Sequence, residues 1–176
     1  VKLLVTEITP FINSSFFVEY RERDFFSSPF HTQPSFHAHP ELELVYIIEG
    51  YGKRVIGNKV ESFDSGDMVF IGSNVPHIWL SDQTFYKESS ILHSRSIVTY
   101  LSPKIFNEAF NNIAELSAIK QMIEKASRGI RITGKTRDMI GGKLLSCMTK
   151  TGYEKFEEML QIMHLISVSE HVSYII

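Results

Sequence analysis

Three histidines and one glutamate occur at a spacing that suits the binding of a metal or a small molecule. His37, His39 and Glu43 stand in FHAHPELELVYIIEG, and His77 follows in GDMVFIGSNVPHIW. Side chains alternate between the two faces of a β-strand, so positions 37, 39 and 43 of a single strand would project into one cavity. Three imidazoles and a carboxylate form a ligand set that zinc, iron, manganese or nickel accepts. The same side chains also suit the polar wall of a pocket for an organic ligand, and both hypotheses stay open.

Three neighbouring side chains could also face the predicted cavity, and their positions along the strands decide which of them are expected to do so. Trp79 shares its parity with His77 and is expected to face the same cavity, where an indole can stack on a sugar or a planar ligand; ordinary barrel packing is the alternative. Tyr46 has the opposite parity to Glu43 and is predicted to pack beneath the helices. Glu41 follows Pro40, where strand phase cannot be assigned, and it is left out of the predicted site.

The elements that position these residues are predicted to be strands as far as position 101. The apolar run 42–48, which Gly50 ends, is typical of a strand that is covered on both faces. Gly57-Asn58 between two β-prone runs indicates a hairpin. Further strands are predicted at these segments: 16–20, 68–71, 77–80, 90–93 and 97–101. Short strands with turns at this spacing favour a barrel or a sandwich.

The hydrophobic period changes to that of helices after Ser102-Pro103, a pair that suits a helix start. Apolar stripes predict four helices, with Thr136 as the expected cap of the third and Gly152 before the fourth. The third stripe is Ile140, Leu144, Leu145 and Met148. A small strand is predicted at 129–133. Such stripes bury against a sheet, another helix or a partner.

Composition excludes several function classes for this segment. The net charge is −2 and no basic stripe occurs, which disfavours direct contact with nucleic acid. No apolar run approaches the roughly 20 residues that span a membrane. A single cysteine, Cys147, excludes an internal disulfide, is compatible with the cytoplasm and is predicted to be a buried, inert thiol in a helix.

The first motif resembles that of the cupin family: His-x-His, three residues, Glu, six residues, Gly. His37, His39, Glu43 and Gly50 supply the match, and Gly66, Pro76 and His77 are similar to the second motif. That second motif departs from the pattern, since Ile71 precedes Gly72 where the family has proline. The resemblance implies a mostly β fold with a cupin-type (double-stranded β-helix, jelly-roll) barrel followed by a small helical subdomain.

The run GDMVFIGSNVPHIW, the four predicted helices and the closing segment LISVSEHVSYI are similar to those of one group of cupins. On these features nearly the whole chain resembles the N-terminal effector domain of AraC-type transcription regulators. The resemblance implies a cupin ligand-sensing domain at 1–101 and a helical dimerisation region at 102–176. It also implies a homodimer in the cytoplasm that binds DNA only through a C-terminal domain beyond Ile176. The effector would be a small molecule, such as a sugar or another polar metabolite, bound by His37, His39, Glu43, His77 and Trp79. Residues 1–35 are a hypothetical lid.

The alternative is a metal-dependent cupin enzyme, a dioxygenase or a sugar isomerase, with His37, His39, Glu43 and His77 as metal ligands. The helical half and the altered second motif favour a regulator that is not an enzyme and requires no cofactor. GIRITGKT at 129–136 also matches the phosphate-loop pattern. The preceding segment is helical, however, and a phosphate loop must follow a buried strand of a parallel α/β unit, so nucleotide binding is not predicted.

Overall fold

The strands of the computed structural model, which describes residues 3–6, 8, 14–24, 35–87 and 90–176, form two sheets that face each other. One sheet has five strands, in the spatial order β1 (Leu4–Val5), β3 (His37–Ala38), β8 (His77–Ser81), β5 (Gly52–Ile56) and β6 (Lys59–Phe63). The other has six, in the order β11 (Val172–Tyr174), β10 (Ile130–Ile132), β7 (Met68–Ile71), β4 (Leu42–Glu49), β9 (His93–Leu101) and β2 (Phe16–Asp24). Neither sheet closes on itself.

Alternation along β4 explains why its sequence is almost wholly apolar. Leu42 and Leu44 enter a large cluster with the helices, whereas Val45 and Ile47 point between the two sheets. Tyr46 lies on the helix side, where its ring approaches Gly141, as predicted. Strand β4 is therefore covered on both faces, which confirms the expectation from the run 42–48.

Of two local strand predictions, one is confirmed and the other is wrong. The hairpin between β5 and β6 is confirmed, because Ile56 pairs with Lys59 and Gly57 takes the positive φ of 58° that such a turn requires. The separate strand predicted at 90–93 is wrong: residues 90–92 are not in a strand, and β9 runs unbroken from His93 through Ser94-Arg95-Ser96 to Leu101. Pairing of β9 with both β2 and β4 holds the polar stretch in the sheet.

Four α-helices follow β9: α1 (Glu108–Asn111), α2 (Ser117–Lys125), α3 (Gly134–Cys147) and α4 (Gly152–Ser167). Ser102 accepts from the Lys104 backbone N–H, as expected of a cap, but it caps a separate 3₁₀ turn at Pro103–Ile105, and the N-cap of α1 is Asn107. The N-cap of α3 is Thr133 and not Thr136, which lies inside the helix and bonds Ser169. Ile140 and Leu144 are buried, but Leu145 and Met148 of the predicted stripe are exposed.

The helical region also completes the sheet. The predicted small strand is confirmed as β10, which pairs with β7, and β11 then pairs with β10. A boundary between residues 101 and 102 therefore stays a prediction, since strands from both sides of it share one sheet. Within the described residues, no helix is long and apolar enough to cross a membrane.

Glu158 of α4 is a buried carboxylate held by two lysines. Its side chain accepts from Lys150 and from Lys143 Nζ at 2.9 Å. Hydrogen bonds from Lys150 and Lys143 lower the pKa of Glu158 in the folded protein. The ionised carboxylate therefore stabilises the fold at any pH above its unfolded-state pKa. This stabilisation is lost as the pH falls through the lower folded-state pKa.

We expect Glu158→Gln to lower the urea midpoint of unfolding at pH 7, because the amide leaves both lysines without a charged partner. The difference from the unsubstituted protein should shrink as the pH falls below about 4. Glu157→Gln, on the exposed side of the same helix, is the matched control and should change little at either pH. A midpoint difference that is independent of pH would contradict the role of the charge.

Candidate functional site

The four predicted ligands converge at one end of the space between the sheets. His37 on β3 pairs directly with His77 on β8, and Glu43 projects from β4 of the other sheet. His39 lies in the bend between β3 and β4. The prediction that 37, 39 and 43 share one strand is wrong, because the chain passes from one sheet to the other at Pro40. The cluster forms because the two sheets face each other.

The carboxylate of Glu43 lies between two imidazoles. Its Oε2 is 2.8 Å from His77 Nε2 and 3.1 Å from His39 Nε2. The ring of His37 is 4.4 Å from that of His77, centroid to centroid. His39, Glu43 and His77 are each at most 4% exposed. Three of the four polar side chains are thus held where little water reaches them, and His37 is half-buried.

Backbone carbonyls fix the orientation of all three rings. The Nδ1 atoms of His37, His39 and His77 lie 2.7, 3.1 and 2.8 Å from the carbonyl oxygens of residues 35, 41 and 75. Because a carbonyl only accepts, each Nδ1 must carry the proton, and a neutral ring presents its Nε2 lone pair to the cluster. This is the tautomer that binds metals through Nε2.

The pairing of these groups depends on charge. Burial alone would raise the pKa of Glu43, but the approach of His39 and His77 outweighs it when their Nε2 atoms are protonated, and it lowers the pKa to about 2. Burial lowers the pKa of His37. For His77 burial acts in the same direction, but Glu43 outweighs it and raises the pKa. Glu43 is therefore an anion, and it attracts a proton or a cation to the Nε2 atoms that face it.

The residues fit a divalent transition metal. One ligand atom from each of His37, His39 and His77 lies within 4.8 Å of the others. The buried Nε2 of His77 has no hydrogen-bond partner of good geometry among the described residues, although Glu43 is close. Zinc, iron, manganese or nickel would be held by the three imidazoles with Glu43. Such an ion would supply Lewis-acid chemistry to an oxygen bound beside it.

A cavity of about 140 Å³ extends from this cluster between the sheets. Its floor is formed by His37, Glu43 and His77, and its walls are apolar. At the opposite end, polar and charged side chains from β2, β4 and β9 form a rim. The apolar walls are Val45, Ile47, Phe63 and Val98; the rim side chains are Arg21, Arg23, Glu49, Ser94, Arg95 and Ser96.

Trp79 lines this cavity beside His77, with ring centroids 5.8 Å apart, so the structure brings it to the cluster, as its parity predicted. It also packs against the apolar clusters between the sheets, so the alternative of barrel packing holds as well. Its indole Nε1 is buried without a hydrogen-bond partner among the described residues. A donor without a partner next to a cavity can be satisfied by a ligand or by water.

Several residues of the site are not apparent from the sequence. Tyr100 packs edge-on against His39 with ring centroids 5.4 Å apart, and burial raises its pKa to about 12. Glu41 places its carboxylate 3.6 Å from His39 Nδ1. Tyr100 and Val98 lie two residues apart on β9 and so face the same side of the sheet, but the sequence does not show that β9 lies beside β4. Arg21 and Arg23 stand in a charged run of the N-terminal arm, where no local pattern points to the cavity.

Two other predictions concern residues outside the cavity. Cys147 is fully buried and burial raises the pKa of its thiol to about 11, which confirms a buried thiol. In the phosphate-loop match, Ile130 and Ile132 belong to β10 and Gly134 packs against His171.

Most of the lid proposed in residues 1–35 lies outside the described residues, so that hypothesis stays a prediction.

Comparison with known proteins agrees with this architecture. Residues 27–84 match the family model described as Cupin domain. Unsaturated fatty acid-bound ToxT from Vibrio cholerae aligns with a TM-score of 0.51 at 14% identity, covering 88% of this chain and 53% of ToxT. Apo ToxT K231A gives the same score and identity, with 88% and 54% covered. The AraC-like transcriptional activator CuxR aligns at 0.48 and 11%, with 85% and 47% covered.

The chain therefore spans about half the length of these proteins. No match was found among curated protein sequences. At these identities the structural likeness concerns the fold, which is the one expected from the sequence: a cupin followed by helices. Residues 27–84 match the cupin family model, and the whole chain has a cupin-plus-helices fold that is similar to that of ToxT.

Proposed function

We propose that this chain is the effector-sensing part of a transcription regulator and that a small molecule binds in its cupin cavity. The observation that carries the proposal is the cavity itself, with a polar floor, apolar walls and a donor-rich rim. Its volume is below the roughly 300–1,000 Å³ that suits drug-sized ligands, so we expect a small metabolite. ToxT, which shares the fold, is known with an unsaturated fatty acid bound.

Sensing requires that occupancy of the cavity change something outside it. Ile175, just after β11, packs into a small cluster with Ile56, Val75 and Trp79. Ile56 pairs with His77, and the Val75 carbonyl holds the His77 ring. A ligand that shifts His77 or Trp79 therefore acts on the packing of the C-terminal strand, and in the proposed regulator that strand leads toward a DNA-binding domain.

Dimerisation through the helices belongs to the same proposal. A groove of about 420 Å³ on the helical side is lined by Leu116, Leu160 and Leu165 together with charged residues. Apolar side chains at a groove that is open to solvent favour burial against a second helix surface. Sedimentation that shows only monomer at high concentration would remove this part of the proposal and leave ligand sensing untouched.

The alternative function is a metal-dependent cupin enzyme. The convergence of three imidazole nitrogens beside Glu43 favours it, because catalytic metal sites combine a few protein ligands with an open position for substrate. The cavity above the cluster would hold the substrate. Conversion of a bound ligand into a product by metal-loaded protein would support this alternative over a sensor.

A thermal-shift screen with metabolites of several classes tests the proposal. We expect at least one class to raise the unfolding midpoint of the unsubstituted protein and to have no effect on Ser96→Trp, because the indole would fill the rim of the cavity. Ser62→Trp, on an exposed position of β6 outside the cavity, is the matched control and should keep the response. Ligand shifts that are equal in both variants would place binding elsewhere and contradict the proposal.

A further inference from the structure

The rim of the cavity carries one arginine that lacks a carboxylate partner among the described residues. Arg95 donates to Glu22 at 3.0 Å and to Glu49 at 2.8 Å. Arg21 donates to Glu19 at 2.7 Å and to the Tyr100 hydroxyl at 3.1 Å. Arg23 follows on β2, pairs with Ser94 of β9, and makes no ion pair within the part of the chain that the structure describes.

The hydrogen-bonding capacity that remains in the cavity consists mainly of donors. The two carboxylates that line it are already engaged, Glu43 by histidines and Glu49 by Arg95. The indole N–H of Trp79 and the guanidinium of Arg23 have no acceptor among the described residues. Serine hydroxyls at 94 and 96 add adaptable donors at the rim. A complementary ligand therefore brings acceptors, and beside an unpaired guanidinium the strongest acceptor is an anion.

The remainder of the cavity suits an apolar body. Val45, Ile47, Phe63 and Val98 form the walls between the rim and the His–Glu floor. A sugar would place hydroxyl groups against these side chains without partners, and burial of such groups is costly. At about 140 Å³ the cavity is also small for a long-chain lipid.

We propose that the ligand of this cavity is a short organic carboxylate, whose carboxylate pairs with Arg23 at the rim while its apolar or aromatic body packs against Val45, Phe63 and Val98. The proposal rests on the function proposed above and specifies its ligand class. Planar carboxylates match the two parallel N–H groups of a guanidinium, which gives direction as well as affinity. Arg21 and Arg95 contribute less to binding of the ligand carboxylate, because they already form ion pairs with Glu19, Glu22 and Glu49.

The single tryptophan of the chain reports on this cavity directly. Trp79 is the one indole in the sequence, so a change in intrinsic fluorescence reports events at the cavity wall. Titrations use benzoate and hexanoate as probes, with benzyl alcohol and hexan-1-ol as neutral partners of similar size. We expect the acids to change the emission with a Kd at least tenfold lower than that of the alcohols.

Arg23→Gln should weaken acid binding about tenfold or more, which corresponds to the loss of a charge-assisted hydrogen bond. Because Arg23 is exposed and has no ion pair among the described residues, the variant should fold normally, and Arg23→Lys should retain part of the affinity. Arg137→Gln, an arginine of α3 outside the cavity, is the matched control and should bind like the unsubstituted protein.

Three results would overturn the carboxylate proposal: no fluorescence change with either acid up to about 10 mM, equal affinity for acids and alcohols, or no effect of Arg23→Gln. If a neutral metabolite then stabilises the protein and Ser96→Trp abolishes that response, the sensing function stands with another ligand class. If no class does so, the proposed function fails as well.

Discussion

Zn²⁺ added to metal-free protein should raise the midpoint of thermal unfolding, and His77→Ala should abolish most of that increase. Ligand present at 100 times its Kd stabilises the folded state by about 2.7 kcal/mol. One ring nitrogen from each of His37, His39 and His77 lies within 4.8 Å of the others, with the anionic Glu43 beside them. Loss of His77 should weaken binding on the order of 100-fold or more, beyond the 10–100-fold typical of losing an outer-sphere partner.

His164→Ala is the matched control, because His164 is exposed on α4 and outside the cluster. The midpoints are measured by calorimetry with and without Zn²⁺, and affinity is measured by competition with a chelator. Equal Zn²⁺ affinity in His77→Ala and the unsubstituted protein would contradict a site at this cluster. Elemental analysis of protein purified without an affinity tag then shows whether the protein carries a metal, and not only whether it can bind one. If only trace metal is found, the four side chains serve as the polar floor of the cavity.

The same cluster shows what local patterns can predict. Spacing in the sequence identifies His37, His39, Glu43 and His77 as a group, and they do meet. The expected reason, one shared strand, is wrong, because alternation predicts the face of a strand but not the sheet that the strand joins. The bend at Pro40 carries the chain to the other sheet, so Glu43 approaches the histidines from across the space between the sheets.

Contacts between distant segments account for most of what the sequence does not reveal. Arg23 reaches the rim because β2 pairs with β9 over its whole length, and no local pattern records that register. Residues 90–92 have β-prone character but lie before β9, whereas polar Ser94 and Arg95 lie within it. Tertiary pairing decides strand limits where intrinsic preference is weak. Helix limits also differ from the local prediction, since α3 is capped by Thr133 and not by Thr136.

Asp67→Ala should lower the free energy of unfolding by about 3 kcal/mol, the lower end of the cost of breaking a buried ion pair. Arg54 is 1% exposed, and its Nη1 donates to Asp67. Its Nη2 donates to Glu61 at 3.1 Å, and Glu61 also accepts from Arg131 Nη2 at 2.5 Å. Without Asp67 the buried guanidinium keeps only Glu61, which is partly exposed and shared between two arginines.

Asp64→Ala is the control in the same turn, since Asp64 is exposed and its side chain makes no ion pair among the described residues; it should change stability by less than about 0.5 kcal/mol. The double variant Arg54→Met, Asp67→Ala separates charge from packing. If the unpaired charge of Arg54 causes the loss of stability in Asp67→Ala, the double variant should regain more than half of the lost free energy of unfolding. Methionine is an apolar side chain of similar length and needs no counterion. The Arg54 network links β5 and β6 to β10 and to the turn before β7. A further loss in the double variant would instead show that this network acts mainly by holding the two sheets together.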